Sequence, residues 1–438
     1  MIALRPILLS TLGVTFGIAL SNLVIASAAL LPEELLLRHY LMCMFLMWGC
    51  LGTTSFVLPK SVPAQHAYKI FILITAIIFR CICLTAAPIF EDDFWRYLFD
   101  GWLFSHFGTP YGFPPVEFLN DPTIPHIFQE IVSKINYPEF STIYGPTLEY
   151  IFLFAFYLDP GNLLAIKAFI LVADIAIFIC LWNRATLRGL LLYAWCPLLL
   201  QECYFSGHPD LLGAAPLFLA ATYIHEKKYT VLTGILSGVA FASKVTAFPI
   251  LCIGLMSARF KSIIVGLITA ALLYIPFYRH EGEAEFAIVG SFLSQWEFNP
   301  SIYKVIRYLT TPITEESTLA RLICAAIFSG FLLFWIVQNY KRSPQMPIRG
   351  DIIIGTLLLF SPVVNPWYLL WILPFVALHT TRWGIAALIV APMSYLHGLY
   401  WKVEGLRPFE IPLEITLIEY GIIFFAIIWE RNRRAPGL

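Results

Sequence analysis

The chain has 438 residues, 59% hydrophobic and 13% charged, with 28 Lys and Arg balanced by 28 Asp and Glu. A soluble domain is usually about half apolar and a quarter charged, and the apolar excess here falls in runs long enough to cross a bilayer. A zero net charge offers no basic field for nucleic acid, so the composition excludes a nucleic-acid binder and predicts an all-α polytopic membrane protein.

From the N-terminus, the apolar runs predict membrane helices over 6–29, 37–58, 68–90, 162–182, 189–204, 210–225, 229–243, 246–258, 262–278, 319–338, 350–362, 364–379, 382–399 and 412–430. Several are short, so about 12–14 transmembrane helices are expected. The first run carries Arg5 and an Ala26-Ser27-Ala28 sequence. Its apolar stretch exceeds the roughly 7–15 residues of a signal-peptide core and reads as a membrane helix. Residues 147–158 are either a further span or a helix lying partly in the membrane. The nine cysteines sit mostly inside apolar runs and none forms a CxxC pair. Cys81-x-Cys83 is too close for zinc-ligand spacing. No internal repeat is visible, and residues 1–438 read as one integral membrane domain.

The basic short loops are Lys60 to Lys69, Arg184 to Arg188, Lys227-Lys228, Arg259 to Lys261, Lys341 to Arg349 and Arg431 to Arg434. Placing all of them in the cytoplasm gives one consistent threading with both termini inside. The opposite face then receives a different set of stretches. These are the connection 91–146, CYFSGHPD at 203–210, SKVTAF at 243–248, the connection 279–318, SPVVNPWY at 361–368 and HGLYWK at 397–402. Connections of about 40–55 residues between helices are uncommon unless they are functional or disordered. The aromatics and prolines of 91–146 argue for order.

That first long loop opens EDDFWRYLFDGW, from Glu91 to Trp102. If 93–104 is helical, Asp93 and Asp100 share a face with Arg96 and Tyr97, because seven residues make nearly two turns. Clustered acids at a membrane boundary are costly unless paired, solvated or metal-bound. They read either as a general base with a neighbour that orients it or holds a cation, or as an acidic helix cap. Glu202, His208 and Asp210 then fall within nine residues. They form either a polar turn capping the next helix or a binding cluster, without the HExxH spacing of a metal site. Lys244, apolar on both sides, snorkels or meets a phosphate. Asn299, Tyr303, Lys304 and Arg307 add polar and basic groups to the same face. Asn365-Pro366-Trp367-Tyr368 interrupts an apolar run, as part of the aromatic belt or of a site.

These pieces together resemble a family. Asp93-x-x-Arg96-Tyr97-x-x-Asp100-Gly101, followed by Gly108-x-Pro110-Tyr111-x-x-x-Pro115, resembles the first outer loop of GT-C glycosyltransferases. Those membrane enzymes take a sugar from a polyprenyl-phosphate carrier. Tyr144-Gly145-Pro146 is similar to the family's Y-x-P after that loop. Glu202 with Ser206-Gly207-His208 and Asp210, Lys244, Asn299 with Tyr303, and Asn365 to Tyr368 match later features in order. Thr109-Pro110-Tyr111 stands where relatives carry Asn-Pro-Tyr. The similarity covers about residues 70–380 and points to the mannosyltransferase branch.

The resemblance implies a GT-C-like bundle with extracytoplasmic loops at 91–146 and 279–318, in a bacterial inner membrane with the active site facing outward. It implies transfer of a sugar, mannose foremost, to a hydroxyl of a glycan or lipid-linked acceptor, with inversion. Asp93 is the expected general base, Asp92 the reserve, and Asp100 a third catalytic candidate. Arg96, Lys244, His208, Lys304 and Arg307 are candidates for the donor phosphate. Trp95, Tyr97, Trp102, Tyr111, Tyr144, Glu202, Asp210, Asn299, Tyr303, Asn365, Trp367 and Tyr368 are candidates for sugar or acceptor. No cofactor is required because the phosphate is already an activated leaving group, although Asp92 and Asp93 could hold Mg or Mn. The rival readings are a transporter or lipid flippase, and a non-catalytic scaffold subunit. Transporters usually place ionisable groups near the bilayer midplane on broken helices within repeated halves, a pattern not seen here.

Overall fold

The computed structural model describes residues 4–29, 31–59, 65–224, 226–244, 260–277, 296–340 and 348–434. The predicted span 246–258 and the first part of the 279–318 connection lie outside them. Among the described residues the chain is helical and has no strand. The first eleven helices are α1 (Leu4–Ala28), α2 (Glu33–Val57), α3 (Gln65–Leu84), α4 (Phe94–Phe107), α5 (His126–Val132), α6 (Pro146–Leu158), α7 (Leu163–Arg184), α8 (Leu187–Ala194), α9 (Pro197–Leu199), α10 (Asp210–Tyr223) and α11 (Thr230–Phe241). They are followed by α12 (Phe260–Tyr274), α13 (Ile302–Thr310), α14 (Thr318–Tyr340), α15 (Gly350–Phe360), α16 (Leu373–His379), α17 (Arg382–Val390) and α18 (Leu413–Arg434).

Six segments are long and apolar enough to cross a bilayer: Arg5–Ala28, Glu33–Val57, Gln65–Leu84, Leu163–Arg184, Phe260–Phe277 and Thr318–Gln338. Their outward faces carry bare hydrocarbon, with Phe45 83% and Phe56 86% exposed on α2. Such side chains would be unfavourable in water and are at home in lipid, where a helix also satisfies its own backbone. The protein is an integral membrane protein. Four shorter apolar helices, Pro146–Leu158, Asp210–Tyr223, Thr230–Phe241 and Gly350–Phe360, are each only about 17–21 Å long.

Three predicted spans are not single helices. Residues 189–204 divide into α8, α9 and a π-helical stretch Leu200–Phe205, in which the Ser206 amide donates to the Gln201 carbonyl. Residues 364–379 start as a 3-10 turn, Pro366–Trp371, before α16, and 382–399 pass from α17 into the 3-10 turn Ala391–Tyr395. Pro197, Pro366, Pro374 and Pro392 each stand at the first or second position of a new turn. Proline has no amide to donate to the preceding turn, so the helix restarts there.

The chain divides into two compact units. The first comprises Met1–Phe90, Ile175–Gly207 and Asn365–Leu438. Its centre is aromatic: Phe16 stacks on Phe79 at 4.5 Å, and Trp195, packed against both, donates its indole N–H to Thr75 at 2.8 Å. The buried Arg80 guanidinium donates to the Ala194 carbonyl at 2.7 Å. Glu430 on α18 caps α17 by accepting from the amides of Arg382 (2.9 Å) and Trp383 (3.4 Å).

The second unit comprises Glu91–Asp174 and His208–Val364. Here α4 lies against α6 so closely that a methyl group on Gly101 would overlap the Phe152 carbonyl. Helices α11 and α12 meet through Gly234, Gly238 and Gly266, the small-residue packing that membrane helices favour. The two long connections touch within this unit, Tyr137 standing edge-on to Trp296 at 4.9 Å.

Candidate active site

Helix α4 begins at the acidic cluster. Asp93 occupies its N-cap position but makes no capping hydrogen bond with its side chain. The half-buried Asp93 carboxylate forms no hydrogen bond or ion pair with any described residue. Its neighbour is engaged: Asn136 donates from Nδ2 to Asp92 Oδ1 at 2.5 Å. Burial pushes the Asp92 carboxyl up to about 6, Asp93's charge adds to the rise, and the Asn136 hydrogen bond acts against it.

One turn on, the Arg96 guanidinium donates to three carbonyls of a single segment, Phe140 at 2.8 Å, Tyr137 at 3.2 Å and Asn136 at 3.4 Å. Tyr97 is buried, stacked on Phe152 at 5.0 Å and edge-on to Tyr144 at 5.2 Å. Its hydroxyl accepts from the Tyr144 hydroxyl at 3.4 Å. Burial holds Tyr97 well above the ordinary phenol range, and the charges of Asp93 and Asp210 add to this.

The loop before α6 joins this group to the end of α11. The Gly145 amide donates to the Ser243 carbonyl (3.3 Å), and the Thr147 amide donates to that of Ala242 (3.1 Å). The Thr147 hydroxyl donates to the Val239 carbonyl (2.8 Å). The next residue after Ser243 is Lys244, whose ammonium pairs with Asp210 at 2.8 Å. Asp210 is 2% exposed by side chain and Lys244 23%, so the cation retains an open side. Asp93, Tyr97, Tyr144, Asp210 and Lys244 therefore form one continuous group within the second unit.

Asp100 lies behind it, fully enclosed, and neither of its carboxylate oxygens accepts a hydrogen bond from any described residue. The one proton of the Thr142 hydroxyl goes to Glu149 Oε1 at 2.7 Å. Burial pushes the Asp100 carboxyl up to about 7, against the pull of the Arg96 guanidinium. Asp100 is thus an acid that holds its proton to near neutrality.

The remaining candidates fall in both units. Trp95 is half-buried with the Lys134 ammonium 4.5 Å from its ring centre. Trp102 is buried among Phe99, Phe118 and Phe128. Tyr111 packs on Phe277 and donates to the Tyr144 carbonyl at 2.9 Å. Tyr303, also buried, donates to Glu297 at 2.5 Å under the Arg321 guanidinium. Asn299 is buried at a positive φ of 48°, where the chain at Phe298 pairs with Val363. Arg307 donates to the Thr314 and Glu315 carbonyls, while Lys304 is exposed and unpaired among the described residues. His208 is enclosed in the second unit. Glu202 belongs to the first unit, where its carboxylate accepts from the Tyr395 hydroxyl at 3.0 and 3.3 Å. Asn365, Trp367 and Tyr368 belong to that unit as well, Asn365 and Pro366 opening its 3-10 turn.

Sequence reasoning passed over Asn136, Thr142 and Glu149, and the buried Lys167 and Asp174 inside the apolar helix α7. An ionisable residue within an apolar run is a signal in its own right, so Glu149, Lys167 and Asp174 were findable. Asn136 had no such mark, because its partner is 44 residues away. Among the described residues, no group of three or more His, Cys, Asp or Glu side chains is placed to hold a metal ion.

Residues 17–259 match the family model described as alpha-(1->6)-mannopyranosyltransferase, N-terminal domain, and residues 307–428 match the MptB C-terminal domain. No curated protein and no solved structure matches the chain.

Proposed function

Since the chain belongs to the alpha-(1->6)-mannopyranosyltransferase family and is a mannosyltransferase of the membrane, we propose that it draws mannose from a polyprenyl-phosphate carrier. In this reading the acceptor is a hydroxyl of a glycan or lipid-linked sugar, the product linkage is α-(1→6), and the reaction takes place on the extracytoplasmic face of a bacterial inner membrane.

The observation that supports it best is the contrast between two adjacent acids. Asp92 is hydrogen-bonded and holds its proton to about 6, whereas the Asp93 carboxylate is left open beside Tyr97. Asp93 takes the proton of the acceptor hydroxyl as that oxygen bonds to the anomeric carbon. The bond from the anomeric carbon to the phosphate oxygen breaks on the opposite face, and its electron pair leaves on the lipid phosphate. The sugar passes through an oxocarbenium-like state, as in glycoside hydrolysis, and its configuration inverts. Lys244, kept in place by Asp210, meets the charge that develops on the phosphate. Lys304, exposed and unpaired among the described residues, is a second candidate cation for the same task. Trp95 keeps a partly open ring for the sugar, while Tyr97 and Tyr144 line the group from within. No metal is needed to activate a phosphate leaving group. Asp92 and Asp93 would suit a divalent cation held chiefly by substrate phosphate, where its charge would add to that of Lys244.

The test is transfer of labelled mannose from a polyprenyl-phosphate donor in membranes, wild type against Asp93→Asn. The expected loss is at least about a hundredfold, the scale of a missing general base. Near-normal transfer by Asp93→Asn would remove Asp93 from the role. A wild-type enzyme that accepts only a nucleotide-linked sugar would remove the lipid-phosphate donor.

A further inference from the structure

The segment 136–140 makes more contacts with the acidic helix start than a passing loop would. Arg96 gathers the carbonyls of Asn136, Tyr137 and Phe140 with one guanidinium. Three of the five N–H donors of that guanidinium are thus spent on backbone carbonyls of this segment. The turn is closed by the Phe140 amide on the Tyr137 carbonyl (3.1 Å). It is tied outward by the Val116 amide on the Pro138 carbonyl (2.8 Å). Tyr137 stands at a positive φ of 50°, with its ring on Trp296 of the second long connection. From this braced turn the Asn136 amide reaches Asp92.

We propose that residues 136–140 are a strap that positions the acidic pair, with Asn136 the positioning residue for Asp92 and Arg96 the strap's anchor rather than a ligand of the donor phosphate. The strap holds Asp92 turned toward Asn136 and so leaves Asp93 alone to face the acceptor. This division of labour rests on the mannosyl-transfer reading above. Asp92 is faced by Asp93 on its own turn and by Asn136 and Tyr137 from the strap; Glu91 precedes it in the chain, and Glu139 stands near Tyr137.

Asn136 is exposed, so Asn136→Ala disturbs little packing and is expected to unfold at the wild-type temperature. In the full-length enzyme with labelled polyprenyl-phosphate mannose, Asn136→Ala should lower kcat by about tenfold or more, the scale of a misplaced reacting group. The donor KM should stay within about twofold. Asn136→Asp, which sets a third carboxylate against Asp92, should be worse than Asn136→Ala. Arg96→Gln should reproduce the Asn136→Ala signature. An Asn136→Ala enzyme with wild-type kcat overturns the proposal. So does an Arg96→Gln enzyme whose donor KM rises more than about tenfold with kcat intact, because that is how a phosphate ligand behaves. If wild type transfers nothing from the lipid donor, the functional reading fails first. Amide exchange then decides the strap: in Arg96→Gln the Phe140 and Val116 amides should exchange faster, and unchanged exchange overturns it.

Discussion

Asp100 and Asp93 sit two turns apart on α4, and burial separates their chemistry. Asp100 is sealed from water with no donor to its carboxylate, so its charged form is disfavoured and its titration moves up to about 7. The native state then keeps a proton between the ordinary Asp value near 3.8 and about 7, while the unfolded chain gives it up. Native stability from this group therefore falls as pH rises through that window. Asp100→Asn keeps the shape and stays neutral. Its unfolding temperature in detergent should gain on wild type progressively from pH 4 to 7, then hold a constant advantage above. An advantage that does not change with pH would mean that Asp100 is charged throughout.

The turn 144–147 and the end of α11 behave as one element, although they lie about a hundred residues apart. A methyl group on Gly145 would overlap the Ala242 carbonyl, and the hydrogen bonds on either side keep the two backbones in that contact. Tyr144 and Lys244 are brought together by this join. Gly145→Ala should push the turn away, at a cost of about 1–3 kcal/mol for overpacking. It should also weaken mannosyl transfer more than a comparable loss of stability in the other unit, such as at the α17 cap of Glu430. Parallel thermal unfolding and transfer assays on Gly145→Ala and Glu430→Ala measure this; equal activity in the two variants would show that the join does not serve the site. The motif Tyr144-Gly145-Pro146 thus has a mechanical reading: an aromatic for the site, a glycine for close approach, and a proline at the first position of α6.

For the molecule as a whole, family membership displaces the transporter and scaffold readings in favour of a membrane mannosyltransferase. The direction in which it faces remains a prediction from charge. With basic loops inside, a reporter enzyme active only outside the cytoplasm should work when inserted in the exposed Asp121–Thr123 turn. The same reporter should be silent at Arg184–Arg188. The reverse pattern would invert the orientation and with it the proposed side of transfer.

What the sequence determined was whatever depends on local chemistry. Apolar runs of about 20 residues have one stable answer in lipid, so the helical membrane class followed from composition and run length. Asp93, Arg96, Tyr97, Asp100 and Gly101 could be placed on one short helix because their spacing matches its turns. The prolines at 197, 366, 374 and 392 carried the information that three expected spans are broken, a signal the apolar run length concealed. Only the tertiary structure decided which groups meet. Hydrogen bonds joining Asp92 to Asn136, Thr142 to Glu149, Lys244 to Asp210 and Glu202 to Tyr395 span 44, 7, 34 and 193 residues. Most of these distances are closed by packing, and sequence periodicity cannot reach across them. The same packing covered Tyr97, Trp102 and Tyr111, which look like open sugar platforms in the sequence, and left the neighbouring Asp93 carboxylate unpaired among the described residues. Burial is a property of what surrounds a side chain, and most of those neighbours come from elsewhere in the chain.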